Sequence, residues 1–346
     1  MSKCDAMRIE RLVREAVDRM GLNLSGICVL TEAATGPFAA TALAACLGGA
    51  AQVVAVARTT RWGSAEDAIG AVRDLAQRVG CIDRIRFVVD DAVDAASGCH
   101  LVTNVGHVRP IGRELVSRLA KPAAVALMWE PWEFRPADID LDALREFDVP
   151  IIGTAETHPH VRTFDYLGPT VGRLLLNAGI EIMRSRLLVV GSDPFGSSVQ
   201  DWLCRAGADA VRASISSWRH AVMSAGQHPF DALLLLEHRD HTSLVTADDH
   251  GALAILAKWG APIIRLCGVV DRSMIENAGA TILPAHDVPT GMMSVTTAYA
   301  GPRPVVDLHT AGLKAASIVV RALRGGASPQ AAVAAAVASG YGLSLA

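Results

Sequence analysis

Short apolar runs alternate with longer windows of helical periodicity along this 346-residue chain, and the alternation predicts parallel α/β structure, because strands covered on both faces read as continuous apolar runs. Residues 8–20 carry apolar positions at helical spacing. Strands are predicted at 27–30, 52–57, 85–89, 100–104, 124–128 and 150–153, with helices between them, which makes a complete doubly wound domain. Residues 162–182 then read as one long helix. A second strand series follows at 186–190, 210–213, 232–236, 262–266 and 281–283, and after Pro302 and Pro304 a helical window at 310–323. The expected architecture is two Rossmann-like, doubly wound parallel-sheet domains joined by long interdomain helices. A flavodoxin- or Rossmann-like substrate domain would span 1–163, a linking helix 164–184, a dinucleotide-binding domain 185–304, and C-terminal helices 305–346 that return to the first domain.

Size agrees with this division, since about 150 residues make a domain. Hydrophobic residues are 51% of the chain and the net charge is −3, with no basic stripe, so nucleic acid is disfavoured as a partner, and an anionic membrane for the same reason. The first residues lack an apolar signal core and no run reaches the roughly 18 residues of a spanning helix. The seven cysteines form no CxxC pair, which implies reduced thiols, most of them buried as small hydrophobes. The expectation is a cytoplasmic protein that handles a small molecule. Its Ala-rich 329–338 window would serve a homodimer or cover a core.

Chemistry enters most clearly at Arg186-Leu-Leu-Val-Val-Gly-Ser-Asp-Pro-Phe-Gly196. An apolar strand feeding a turn with Gly191 and Gly196 ahead of a helix is the form of a nucleotide-binding βα turn, in which a middle glycine lets backbone approach a pyrophosphate on the helix N-terminus. Asp193 stands in place of that glycine, and its carboxylate opposes a diphosphate. Ser192 and Phe195 complete the candidate turn, and Glu237 and His238, after the strand at 232–236, stand at the same carboxyl edge. Arg212 and Ser214 at the end of the second strand favour a 2′-phosphate, hence NADP over NAD, if a dinucleotide binds.

Four motifs in order carry a resemblance: Val149-Pro-Ile-Ile-Gly-Thr154 before a long helix, the 186–196 turn, Gly268-Val-Val-Asp271, and His309-Thr-Ala-Gly312. Over 150–325 the chain is similar to the D-2-hydroxyacid dehydrogenases of the formate/glycerate dehydrogenase superfamily. The resemblance implies two Rossmann-type domains, NAD(P)-dependent oxidoreduction, His309 as catalytic acid/base and Arg265 as the substrate-binding arginine, one place earlier than the pattern. The catalytic glutamate of that family has no match in 280–306, where Asp287 is the only acid. The N-terminal half, through Leu30-Thr-Glu-Ala-Ala-Thr35 and Arg58-Thr-Thr-Arg-Trp-Gly-Ser-Ala-Glu66, resembles S-adenosylhomocysteine hydrolases more faintly.

Further candidates fall at predicted strand ends, where open α/β sheets bind ligands. Glu32 and Thr35 precede a helix whose free N–H groups could hold a carboxylate, or they form an N-cap beside a solvated acid. Asn104, His107 and Arg109 lie after the fourth strand, where Arg109 would grip a carboxylate in a fork or cap its own loop. Glu130, beside Trp132, is either a desolvated general acid or part of a packing patch. Glu156, His158 and His160 precede the long helix and line the expected interdomain cleft, with no helical pairing that supports a metal. His309 would head its helix and point into that cleft, or else be packed. Three functions remain open: an NAD(P)-dependent oxidoreductase on a small, carboxylate-bearing substrate; a non-redox lyase, hydrolase or transferase on the same scaffold; and a non-catalytic ligand-binding protein.

Overall fold

The computed structural model describes residues 3–129 and 134–345. The chain divides into two compact units, the first built from Met1–Arg162 with Gly301–Ala346, the second from Thr163–Ala300. Strands β1 (Cys28–Glu32), β2 (Gln52–Ala57), β3 (Ile85–Val89), β4 (Leu101–Thr103), β5 (Ala124–Ala126) and β6 (Ile151–Thr154) belong to the first unit. Strands β7 (Arg186–Val190), β8 (Asp209–Ala213), β9 (Ala232–Leu236), β10 (Ile263–Cys267) and β11 (Ile282–Leu283) belong to the second, and β12 (Gly342–Leu343) returns to the first. The helices are α1 (Lys3–Met20), α2 (Ala40–Leu47), α3 (Ala65–Arg78), α4 (Ala92–Ala95), α5 (Arg113–Ser117), α6 (Leu141–Glu146), α7 (Leu167–Asn177), α8 (Phe195–Arg205), α9 (Trp218–Ser224), α10 (His250–Trp259), α11 (Arg272–Asn277), α12 (Arg303–Arg324) and α13 (Pro329–Ala338).

The first unit's sheet runs β12-β6-β5-β4-β1-β2-β3, with β12 antiparallel at the edge beside β6. Its six parallel strands have the 3-2-1-4-5-6 order of dinucleotide-binding sheets. In the second unit the order is β11-β10-β9-β7-β8, which is the 2-1-3-4-5 order of flavodoxin-like sheets. Both are doubly wound and parallel. Strands such as Val53–Ala57 and β9 are buried along their length, which is why they read as unbroken apolar runs rather than alternations.

Helix α12 shapes the first unit. It packs against α1, α2, β5 and β6, and it lies so close that a Cβ on Gly312 would stand 2.7 Å from Met128 Sδ and 2.9 Å from Thr154 Oγ1. The glycine of the His309-Thr-Ala-Gly312 motif is therefore a packing requirement. Two expectations need correction. The helix begins at Arg303, because Pro302 and Pro304 are accommodated at its start, where missing N–H groups cost nothing; His309 thus lies well inside α12. The single helix expected over 162–182 is instead a short 3-10 turn, Thr163–Tyr166, followed by α7, which ends before Gly179 takes a left-handed φ of 77°.

Candidate functional site

Strand order reverses between β4 and β1 in the first unit, because the chain leaves β1 towards β2 and β3 and then crosses to begin β4 on the other side. Such a crossover parts the loops above the two strands and opens a ligand position at their carboxyl ends. Glu32, the last residue of β1, and the loop from Asn104 to Arg109 after β4 meet there. Glu32 is 5% exposed; its Oε2 accepts the His107 N–H at 3.2 Å, and the Gly106 N–H also reaches the carboxyl. Desolvation raises its pKa above the usual carboxylate range, against the opposing influence of His107, Arg109 and the two amides.

The surrounding groups are fixed by neighbours. The Nδ1 of His107 lies 2.9 Å from the Ala33 carbonyl oxygen, which can only accept, so this nitrogen carries a proton. Asn104 is fully buried; its Oδ1 accepts the Met128 N–H at 2.8 Å, while Nδ2 has no hydrogen-bond partner among the described residues. A buried donor left unpaired costs about 1–3 kcal/mol, so this amide is a position where a ligand acceptor would be stabilising. Arg109 pairs with Asp138 at 2.5 Å and lies over the Trp129 ring at 5.3 Å. Trp129 belongs to the tryptophan-bearing 129–132 segment after the predicted strand at 124–128, whereas Asp138 had no local signature in the sequence.

The second unit has its own crossover between β7 and β9, and the 191–196 turn lies on it. Both glycines are needed: a Cβ on Gly191 would stand 2.7 Å from the Leu236 carbonyl oxygen, and one on Gly196 2.4 Å from that of Gly191. The donors a diphosphate would use are otherwise engaged. The Ser192 N–H and Oγ–H go to Glu237 at 2.8 and 2.7 Å, the Gly196 N–H to the Ser192 carbonyl at 2.9 Å, and the Ser197 N–H to the Asp193 carboxylate at 3.2 Å; Pro194 has no N–H. Asp193 is held below its usual range by the Ser197 hydroxyl and by Arg212, which pairs with it at 3.0 Å. Glu237 also accepts the amides of Arg239 and Asp240, at 2.9 and 3.0 Å, and these donors outweigh burial to keep it ionised. His238 stacks on Phe195 at 4.2 Å and is pushed down to about 4 by burial and then by Arg239. As built, this turn does not fit a diphosphate: its own carboxylates, Glu237 and Asp193, hold the Ser192 and Ser197 amides.

Other candidates fall into place as structure. Arg212, expected to meet a 2′-phosphate, gives its guanidinium to Asp193 and to the Gly191 carbonyl at 3.1 Å. Ser214 bonds Ser216 and Ser217. Arg265 is 6% exposed, and donates to the carbonyls of Gly268 and Val288 at 2.8 and 2.7 Å, so it braces backbone rather than offering a fork. His309 belongs to the first unit, is 6% exposed, bonds Thr41 Oγ1 at 2.6 Å and is pushed down to about 4 by desolvation. His158 stacks on Tyr341 at 4.0 Å, and His160 Nδ1 meets the Tyr341 hydroxyl at 2.8 Å; this pair fastens the chain end. Glu156 is buried. Thr35 precedes the 3-10 turn Gly36–Ala39 without capping it. Glu130 and Trp132 lie outside the described residues.

Solved structures share this architecture. The A chain of dipicolinate synthase from Bacillus subtilis superposes with a TM-score of 0.56 over 89% of this chain and 100% of that one, at 9% identity. Its counterpart from Bacillus halodurans gives 0.54 over 83% and 96%, at 12% identity. The likeness is one of fold. An NAD-dependent formate dehydrogenase from Staphylococcus aureus, solved in complex with NAD, aligns over 80% of this chain and 96% of that one at 12% identity, with a TM-score of 0.41. No protein-family model and no curated protein matches the chain. At these identities the likeness establishes the two-unit α/β fold alone, and the chemistry has to be argued from the side chains.

Proposed function

We propose that the chain is an enzyme that exchanges a proton with a small, carboxylate-bearing substrate at the β1/β4 crossover of its first unit, with Glu32 as the acid–base group. The observation that carries the reading is a carboxyl group made hard to ionise by burial at a crossover carboxyl edge, where a raised pKa brings a carboxylic acid towards working pH. Asn104 Nδ2 would donate to a substrate oxygen. Arg109, steadied by Asp138, would attract the substrate carboxylate, and His107 Nε2 would hydrogen-bond a substrate hydroxyl. Proton exchange at Glu32 serves a lyase or a transferase as well as a dehydrogenase.

A second reading, nicotinamide-dependent oxidoreduction on the same substrate class, is favoured by the motif resemblance to D-2-hydroxyacid dehydrogenases and by the 3-2-1-4-5-6 order of the first sheet. The 191–196 turn opposes it, since Asp193 and Glu237 would have to release the amides they hold. Calorimetric titration with NAD, NADH, NADP and NADPH separates the two readings. Binding that stabilises the protein by about 2.7 kcal/mol at a hundredfold excess over Kd establishes the redox reading, and silence at millimolar ligand leaves the proton-transfer reading. Glu32→Gln tests both: turnover of any substrate found should fall by at least a hundredfold, the low end of what a positioned acid–base group contributes, and unchanged turnover overturns the role of Glu32.

A further inference from the structure

The loop after β2 in the first unit is occupied by neither reading. In a 3-2-1-4-5-6 sheet the end of the second strand faces the ribose of a bound nucleotide, and arginine there selects a ribose phosphate. Here that end is Arg58-Thr-Thr-Arg-Trp-Gly63. Its shape is set by internal bonds: the Thr59 hydroxyl accepts the Ala65 N–H at 3.1 Å, the Thr60 hydroxyl accepts the Trp62 N–H at 3.2 Å, and Thr60 and Gly63 exchange backbone bonds. Arg58 spends one N–H on the Arg109 carbonyl at 2.8 Å, which aims the rest of the guanidinium. Neither Arg58 nor Arg61 has a carboxylate partner among the described residues, in contrast to Arg212 in the second unit. Asp67, six residues after Arg61 in the chain, is committed to the N–H and hydroxyl of Ser64.

Trp62 is 76% exposed, and the Arg61 guanidinium lies over its ring at 4.7 Å. An exposed indole backed by arginine is a stacking surface for an aromatic base, and two guanidiniums with no carboxylate partner among the described residues suit a dianionic phosphate. The loop also adjoins the one after β1, since a Cβ on Gly63 would stand 3.8 Å from Thr35 Cγ2. We propose that this loop binds the phosphate-bearing adenosine end of a larger ligand, with phosphate on Arg58 and Arg61 and the base on Trp62. The loop adjoins the Glu32 site through the Arg58–Arg109 bond, but its readout is binding rather than turnover, so its test does not depend on the proton-transfer reading.

The experiment is calorimetric titration of the full chain with adenosine 2′,5′-bisphosphate, adenosine 3′,5′-bisphosphate, adenosine and inorganic phosphate. One bisphosphate should bind at least tenfold more tightly than adenosine or phosphate, and which one does identifies the position of the ribose phosphate. Arg61→Ala and Trp62→Ala, both at exposed positions, should each weaken binding about tenfold, whereas Arg212→Ala should leave it unchanged. The proposal is overturned by absence of bisphosphate binding at millimolar concentration, by phosphate binding equally well, or by sensitivity to Arg212→Ala without sensitivity to Arg61→Ala and Trp62→Ala.

Discussion

His309 provides the sharpest quantitative test, because among the described residues it has a single hydrogen-bond partner, Thr41, and desolvation is the sole cause of its shift. It is 6% exposed, bonded to Thr41 and lies beside the Phe38 ring, and desolvation alone pushes it from 6.5 down to about 4. A depressed histidine contributes stability that is complete above 6.5 and is lost as pH falls towards 4, because the unfolded chain takes up the proton first. The whole interval corresponds to about 3 kcal/mol at 1.36 kcal/mol per pH unit. Between about pH 7.5 and pH 5 roughly 2 kcal/mol of it should be lost, since at the lower pH the unfolded imidazole is almost fully protonated and the folded one hardly at all. His309→Asn isolates this contribution. Urea unfolding followed by circular dichroism should find the variant less stable near neutrality, and the gap to the parent should shrink by about 2 kcal/mol at pH 5. A gap that stays constant within about 0.5 kcal/mol would refute a neutral, desolvated histidine and return His309 to the list of candidate acids.

Other consequences follow from the same contacts. Glu32→Gln keeps an acceptor for the His107 N–H and removes a buried ionisable group; a raised carboxyl loses its stabilisation as pH rises, so the variant's melting temperature relative to the parent should climb with pH, and a flat difference counts against the raised pKa. Gly168→Ala puts a Cβ 2.3 Å from the Trp202 side chain, where α7 meets α8, and should destabilise the second unit by about 1–3 kcal/mol in urea melts. Asp193→Gly removes the charge that holds the Ser197 N–H and pairs with Arg212; if a nicotinamide dinucleotide uses the 191–196 turn, calorimetry should show it binding more tightly, and no change removes the turn from consideration.

Much of the fold was legible in the sequence because it follows from local patterns. The runs at 52–57, 186–190 and 232–236 coincide with β2, β7 and β9, since a strand buried on both faces is apolar along most of its length; 85–89 coincides with β3, an edge strand in which Arg86 and Val89 are exposed. Gly191 and Gly196 were readable for a similar reason: close backbone approach excludes a side chain, and no other residue meets that requirement. Glu32, Asn104, His107 and Arg109 were named because strand ends are where ligands bind in such sheets. The sequence could not say which donors are already spent. The same turn reads as a phosphate cradle or as a closed network according to whether Glu237, 45 residues further on, reaches Ser192, and only strand order brings β9 beside β7. His309 and Arg265 show the same limit: a motif states residue type and spacing, but burial against Thr41, or bonding to the carbonyls of Gly268 and Val288, depends on elements distant in the chain. Local patterns set the elements because they are short-range free energies; tertiary packing decided the chemistry, because desolvation and hydrogen-bond satisfaction depend on everything brought into contact.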